Sequence, residues 1–272
     1  MIDLHIHTTA SDGTLSPIEL VKYAKQKNLS VIAITDHDSI SALEEAILEG
    51  KKKNITVIPG IEFSTEYNYK EVHILGYFID YTNEELIKTI NSLKNERINR
   101  TYKIIEKLNI NNINISMEDI EKEAKGDVIS RMHISNVLLK KNYVSTKAEA
   151  FEKYLGIGKS AYIKRKLTPL KAIEIIKNSG GLAVLAHPKL IHLENEKEFI
   201  SLLAQNKLDG IESYYPGFSS SDVDRYINFC NIYNLIPTGG SDFHGHNRLT
   251  SDLNMLKLPQ KIYLNLLNRL NV

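Results

Sequence analysis

Apolar and polar residues alternate at the start of the chain, Ile2, Leu4 and Ile6 against Asp3, His5 and His7. A period of two is the pattern of a strand. It sends His5 and His7 from one face, with Cα atoms about 7 Å apart at roughly 3.3 Å rise per residue. Ser30–Thr35 is instead a near-continuous apolar run, which must be covered on both faces as in a parallel sheet. Further strands are predicted at 55–58, 71–78, Leu182–Ala186, Leu208–Glu212 and Leu235–Thr238, seven in all. Helices are predicted between them. Ser16-Pro17-x-Glu19 opens the first, with Ser16 as N-cap, Pro17 at the first helical position and Leu20, Val21 and Ala24 as the apolar stripe. Others are expected at 39–50, from Glu84 past Arg100, and from Thr168-Pro169 to Gly180-Gly181.

Strands alternating with helices imply right-handed βαβ units and a parallel sheet. Seven strands are one short of the standard eight-stranded barrel. Residues 100–166 break the alternation and read as helical at Met117–Lys125, Ser130–Lys141 and Lys147–Leu155. The predicted organisation is an α/β barrel domain of residues 1–99 and 167–272 with a helical insertion subdomain at 100–166. The alternative is a few extra helices of the barrel itself.

Composition narrows the function classes. At 272 residues, with 42% hydrophobic and 25% charged residues, the chain has the make-up of a globular protein with a sizeable core. Its 34 basic and 33 acidic residues leave a net charge of +1, which argues against a general duplex-DNA or membrane-surface binder. Cys230 is the only cysteine, so no intrachain disulfide forms and a reducing compartment fits. No signal-peptide pattern and no apolar run of membrane-helix length are seen, which predicts a cytoplasmic protein. Oligomeric state is left open.

The candidate chemistry gathers at the strand ends. His5, His7 and Asp12 come from the first strand and its loop, His37 from the second, Glu62 from the third and His73 from the fourth; His187, Asp242 and His244 follow. These nine residues take six of the chain's nine histidines, and the C-terminal strand ends form the active rim of such barrels. Hydrogen-bonded core histidines have no reason to sort to one rim. Mixed nitrogen and oxygen donors without thiolate suit Mn, Zn or Fe, and nine exceed one tetrahedral site. Two or three divalent ions sharing carboxylates are expected, Mn2+ favoured over Zn2+ or Fe2+. Such clusters activate water and clamp a phosphoryl oxygen.

The set His-x-His, Asp-Gly-Thr, Thr-Asp-His-Asp, Gly-Ile-Glu, Val-His-Ile-Leu-Gly-Tyr, Ala-His-Pro and Ser-Asp-Phe-His resembles the polymerase-and-histidinol-phosphatase (PHP) family, from residue 1 to about 250. The resemblance implies a distorted (β/α)7 TIM-like barrel and phosphoester hydrolysis at a trinuclear metal site. It assigns His5, His7, Glu62 and Asp242 to one ion, Glu62, His73 and His187 to a second, and Asp12, His37 and His244 to the third. Asp12 stands where histidinol-phosphatase-like members often have histidine.

The segment from Ile129-Ser130-Arg131-Met132-His133 to Gly156-Ile157-Gly158-Lys159-Ser160-Ala161-Tyr162 resembles the subgroup of 3′,5′-nucleotide bisphosphate phosphatases and 5′–3′ exoribonucleases. Residues 131–171 carry ten Lys and Arg against Glu149 and Glu152, net +8. Arg131 can grip a phosphate bidentately, with His133 beside it. Lys159 and Tyr162 complete the expected substrate contacts, although Gly-x-Gly-Lys lacks P-loop spacing. The same charges also fit a solvated basic face. His192 and His246 are expected at the surface, and Arg248 either there or on substrate.

The expected activity is metal-dependent hydrolysis of a nucleoside 3′,5′-bisphosphate or of the 5′ end of a short RNA, by attack of metal-activated hydroxide. The alternatives are a small-metabolite phosphatase of the histidinol-phosphate kind and a metal-binding module without turnover.

Overall fold

The computed structural model describes residues 1–124, 126, 128–245 and 251–270. Seven strands form one sheet in chain order: β1 (Ile2–Ile6), β2 (Val31–Ile34), β3 (Thr56–Tyr67), β4 (Lys70–Tyr77), β5 (Leu182–Leu185), β6 (Gly210–Tyr214) and β7 (Ile236–Gly239). After β7 the chain returns to β1, where the His7 N–H donates to the Phe243 carbonyl at 2.9 Å, so the sheet is a nearly closed barrel. Ten α-helices are described, in chain order: α1 (Pro17–Gln26), α2 (Leu43–Lys53), α3 (Glu84–Ile110), α4 (Met117–Glu121), α5 (Arg131–Lys140), α6 (Lys147–Ala150), α7 (Pro169–Asn178), α8 (Glu196–Gln205), α9 (Ser220–Tyr233) and α10 (Lys261–Leu270). A π-turn, Phe151–Leu155, continues α6. The capping box read from Ser16 and Glu19 is formed at α1, where Pro17, Leu20, Val21 and Ala24 are buried.

The sheet is not all parallel. β4 runs antiparallel to both β3 and β5, and the other adjacent pairs are parallel. β3 does not end near residue 58 but continues to Tyr67 and turns directly into β4. Asn68 and Tyr69 both have positive φ, +47° and +58°, the backbone of a two-residue hairpin turn. Pro59-Gly60 reads as a break yet lies inside β3. A Cβ on Gly60 would sit 2.8 Å from the Ile34 carbonyl oxygen and 2.9 Å from that of Gly76, so glycine lets the strand pass between its neighbours. With β4 reversed, its first residues stand at the rim where the parallel strands end. His73, expected at the rim from a predicted strand at 71–78, reaches it from the first half of a strand that runs opposite to its neighbours.

β1 departs from strict alternation too. Its pairing with β2 shifts register between Asp3 and Ile6, three residues against the two from Ile32 to Ile34. This extra residue is a bulge. Ile2 and Leu4 join the apolar cluster inside the barrel with Val31, Leu75, Tyr77 and Val184, closed below by Leu258, Ile262 and Leu266 on and before α10. Ile6 instead joins the outer cluster, with Leu20, Val21, Leu43, Ile173 and Ile200 from the surrounding helices.

A third apolar cluster runs from Ile104 through Ile113, Ile120, Ile134, Leu138 and Leu155 to Ala161. α3 serves two clusters. Leu86 and Ile90 pack on the barrel, and Ile104, Ile105 and Leu108 on the helices that follow. Among the described residues, no helix is long and apolar enough to cross a membrane.

Candidate metal centre

Glu62 lies at the centre of the rim, fully buried on β3. Five imidazoles surround its carboxylate. Oε2 is 3.3 Å from His5 Nε2, 3.2 Å from His7 Nε2 and 2.9 Å from His37 Nδ1. Oε1 is 2.9 Å from His73 Nδ1 and 3.1 Å from His187 Nε2. Asp242 Oδ1 lies 3.4 Å from His5 Nε2 and 3.2 Å from His7 Nε2. Asp12 Oδ1 faces His7 Nδ1 at 3.9 Å, His37 Nε2 at 4.0 Å and His244 Nε2 at 3.4 Å. All nine residues singled out from the sequence therefore meet at one place. Four overlapping groups could each hold a metal ion: His5, His7 and Asp242; His5, Glu62 and His187; His37, Glu62 and His73; and His7, Asp12, His37 and His244.

The donor atoms fit cations on two grounds. Ligands about 2.1 Å from a tetrahedral ion lie roughly 3.4 Å from one another, and the spacings among His5, His7, Glu62 and Asp242 are close to that. Moreover His5 Nε2, both nitrogens of His7, Asp12 Oδ1 and His187 Nδ1 are buried and make no hydrogen bond of good geometry. Buried polar atoms without partners are costly, and metal coordination satisfies them.

The electrostatics agree. Burial lowers the His7 imidazole pKa, but Asp242 and Glu62 outweigh it and raise the pKa to about 9. His73 is raised to about 10 by Glu62 and Glu71, again against burial. Glu62 and Asp12 are held well below the carboxylate range by facing histidines, although burial opposes this. At His37 burial wins and the pKa falls. The carboxylates thus demand positive charge, which protons or metal ions can supply.

A second ring of side chains holds these donors. Asp36 accepts from the Thr8 backbone N–H (2.8 Å), the Thr8 hydroxyl (2.7 Å) and the Ser11 hydroxyl (2.6 Å), fixing the loop that carries Asp12. Asp38, at φ +48°, accepts from the Ser64 N–H at 2.9 Å and from Arg97 Nε at 2.7 Å. Arg97 also donates to Ser64 Oγ at 2.9 Å and to the Ile129 carbonyl at 3.1 Å. The Tyr215 hydroxyl donates to Asp242 Oδ2 at 2.6 Å. Glu212 receives His5 Nδ1 at 2.9 Å.

The centre floors a cavity of about 670 Å³ whose far wall comes from residues on α5, α6 and the π-turn after it. Arg131 and His133 line it, with Arg97, Arg165 and Lys147. Arg131 donates to Glu71 Oε2 and, at 3.1 Å, to the Leu155 carbonyl, and lies over the Phe151 ring. Arg165 donates to Glu71 Oε1 at 2.8 Å. Half-buried Arg100 stands near these guanidiniums, and burial and their charge push its pKa down. His133 Nδ1 accepts from the Ser130 N–H at 3.1 Å, so that nitrogen caps α5. Lys159 and Tyr162 do not line the cavity: Lys159 is exposed, and the Tyr162 hydroxyl is bonded to Glu66. His192 is exposed, while His246 and Arg248 lie outside the described residues.

Sequence reasoning missed Glu212, Tyr215, Glu71 and Arg97, and counted Arg165 only as one of the ten basic residues of 131–171. Glu212 had a usable signal, since it falls at the end of a predicted strand like the metal-binding candidates. Arg97 had none, being one charged residue on a long helix.

Comparisons with known proteins agree with this geometry. Residues 3–215 match the PHP domain family. The chain is 35% identical to a 5′–3′ exoribonuclease of Haemophilus influenzae over 89% of each chain. It is 29% identical to the 3′,5′-nucleoside bisphosphate phosphatase of Chromobacterium violaceum, covering 89% of this chain and 87% of that one. Among solved structures, a Bifidobacterium adolescentis protein described as a metal-dependent phosphoesterase superposes with a TM-score of 0.86 at 25% identity, over 98% of this chain and 96% of that one. The distorted seven-stranded barrel, the rim of histidines and carboxylates, and the match over most of its length together make this chain a member of the PHP family of metal-dependent phosphoesterases.

Proposed function

We propose that the protein hydrolyses a phosphate ester of a nucleotide that carries a second phosphate, as in a nucleoside 3′,5′-bisphosphate or the 5′ end of a short RNA. The observation that carries this reading is the pair Arg131 and Arg165 on one carboxylate, Glu71, at the wall of the cavity floored by the metal-binding cluster. Two guanidiniums against one carboxylate leave a positive charge facing the cavity, suited to an anion that is not itself being cleaved. The exoribonuclease and bisphosphatase names of the relatives support the same substrate class.

In this reading His5, His7, Asp12, His37, Glu62, His73, His187, Asp242 and His244 act in catalysis by holding two to three divalent ions, Mn2+ first among candidates. Bound ions would supply Lewis acidity and lower the pKa of water toward neutrality. Glu62 offers one oxygen to each side of the cluster, so it is the residue suited to bridging. Burial of His5, His7 and Glu62 keeps bulk water from their donor atoms. Arg131, with Arg165, orients the uncleaved phosphate, and His133 lines the approach. We also assign residues 100–166 to a subdomain that covers the site, a reading supported by their own apolar cluster.

The test is phosphate release by the Mn2+-loaded protein from adenosine 3′,5′-bisphosphate, 5′-AMP, histidinol phosphate and oligoribonucleotides. The bisphosphate or the oligoribonucleotides should have the highest kcat/KM. Preference for histidinol phosphate would overturn the nucleotide reading while leaving the phosphoesterase class intact.

A further inference from the structure

We infer that Glu212 is a positioning residue that sets two histidines of the metal centre at once. It lies on β6, is fully buried, and is not part of the cavity lining, so substrate does not reach it. Its two oxygens have different tasks. Oε1 accepts from His5 Nδ1 at 2.9 Å, and Oε2 accepts from the His187 backbone N–H at 2.7 Å.

The first contact fixes a tautomer. With its proton on Nδ1 toward Glu212, His5 turns the lone pair of Nε2 toward Glu62 and Asp242, 3.3 Å and 3.4 Å away. A carboxylate behind a ligating imidazole orients the ring and raises its basicity. The second contact fixes a backbone. His187 has φ +27° and ψ +58°, a conformation a side-chain-bearing residue rarely adopts. The Glu212 bond holds that conformation at the turn that aims His187 Nε2 at Glu62 Oε1, 3.1 Å away. His5 and His187 stand side by side, ring centroids 5.7 Å apart and nearly parallel, so one carboxylate reaches both.

The two donors also explain the residue type. Two N–H groups converge on two oxygens. Glutamine would satisfy one and present an NH2 to the other: toward His187 it would set two buried donors face to face, and toward His5 it would favour the tautomer whose proton sits on Nε2, removing the lone pair aimed at Glu62 and Asp242. Glu212→Gln therefore keeps the shape of the side chain and removes one of its two functions.

This inference rests on the metal reading of the site, and the experiment separates the two. Full-length wild type and E212Q are equilibrated with Mn2+, and bound ion is measured by elemental analysis and free Mn2+ by EPR. Loss of such a partner typically weakens metal binding about 10–100-fold. The expected result for E212Q is a fall of that size in Mn2+ affinity. The Mn2+ concentration for half-maximal phosphate release should rise in parallel, with kcat recovering toward wild type at saturating Mn2+. A merely structural role would lower the melting temperature without moving the Mn2+ dependence, and that outcome overturns the inference. If E212Q does not fold, E212D keeps the charge but draws both oxygens back by one methylene. It should show the same loss of Mn2+ affinity, and wild-type affinity in E212D is equally decisive against the inference. A wild-type protein that binds no Mn2+, Zn2+ or Fe2+ would instead sink the metal reading itself.

Discussion

Replacing Arg131 by alanine separates the metal-held phosphate from the one held by side chains. Two of the five guanidinium N–H groups are used by Glu71 and the Leu155 carbonyl, which leaves three for a ligand without displacing either. Glu71 keeps Arg165 at 2.8 Å and His73 Nε2 at 3.4 Å after the substitution, so no buried carboxylate is stranded. The loss should therefore appear in binding rather than in folding. A charge-assisted hydrogen bond contributes about 1.5–3 kcal/mol, or roughly 10–150-fold in kcat/KM. For Arg131→Ala, kcat/KM for adenosine 3′,5′-bisphosphate should fall by that factor, mainly through KM. p-Nitrophenyl phosphate, which has no second phosphate, should lose little. Steady-state kinetics on both substrates, with circular dichroism as the folding control, make the comparison. Equal losses on both would move Arg131 to the reacting centre, and no loss on either would refute the second-phosphate reading.

Elemental analysis after metal-replete growth should find about two to three transition-metal ions per chain, since nine donors converge in four overlapping groups; less than one ion would count heavily against the cluster. Chelation should abolish turnover and lower the melting temperature, because ions that bind only the folded state stabilise it by about 2.7 kcal/mol at a hundredfold excess over Kd; an unchanged melting curve in differential scanning calorimetry would contradict this. His37→Ala or Asp242→Asn should remove phosphate release while leaving the circular dichroism spectrum unchanged, as both side chains stand on the rim and outside the apolar clusters. Gly240→Ala should destabilise by about 1–3 kcal/mol or more, because its Cβ would lie 2.3 Å from His5 Cβ and 2.4 Å from the His5 nitrogen, with a backbone that cannot yield; a wild-type midpoint in urea would show that the strand seam is looser than described.

The sequence alone determined most of the strands and the helices up to Asn178, and that nine candidate donors meet at one rim. His5 and His7 were expected to share a face because side chains two apart in a strand do so, and both reach Glu62 although β1 shifts register between Asp3 and Ile6. The capping box at Ser16, the helix at 131–140, the helical segment at 147–155 and the existence of seven strands, though not the length of β3, are written in spacing over a few residues. Convergence of nine donors was legible because α/β topology sends successive strand ends to one rim. What tertiary structure decided is pairing. The reversal of β4 hangs on a two-residue turn at Asn68 and Tyr69 and on whether Gly60 breaks β3 or lets it through, and Gly60 is resolved only by the carbonyls of Ile34 and Gly76 on either side. The bulge that puts Leu4 inside the barrel and Ile6 outside is a property of β1 against β2, not of β1. Glu212, Glu71 and Arg97 took their roles in the same way. Glu212 shows only a strand-end position and the other two only a charge in an ordinary local pattern, and the role of each comes from its partners: 25 and 207 positions away for Glu212, 59 for Arg97, and 60 and 94 for Glu71. Periodicity reports which face of an element is buried; which carboxylate meets which imidazole or guanidinium is settled when separate elements pack, because hydrogen bonds act over about 3 Å and carry no trace in the sequence between their ends.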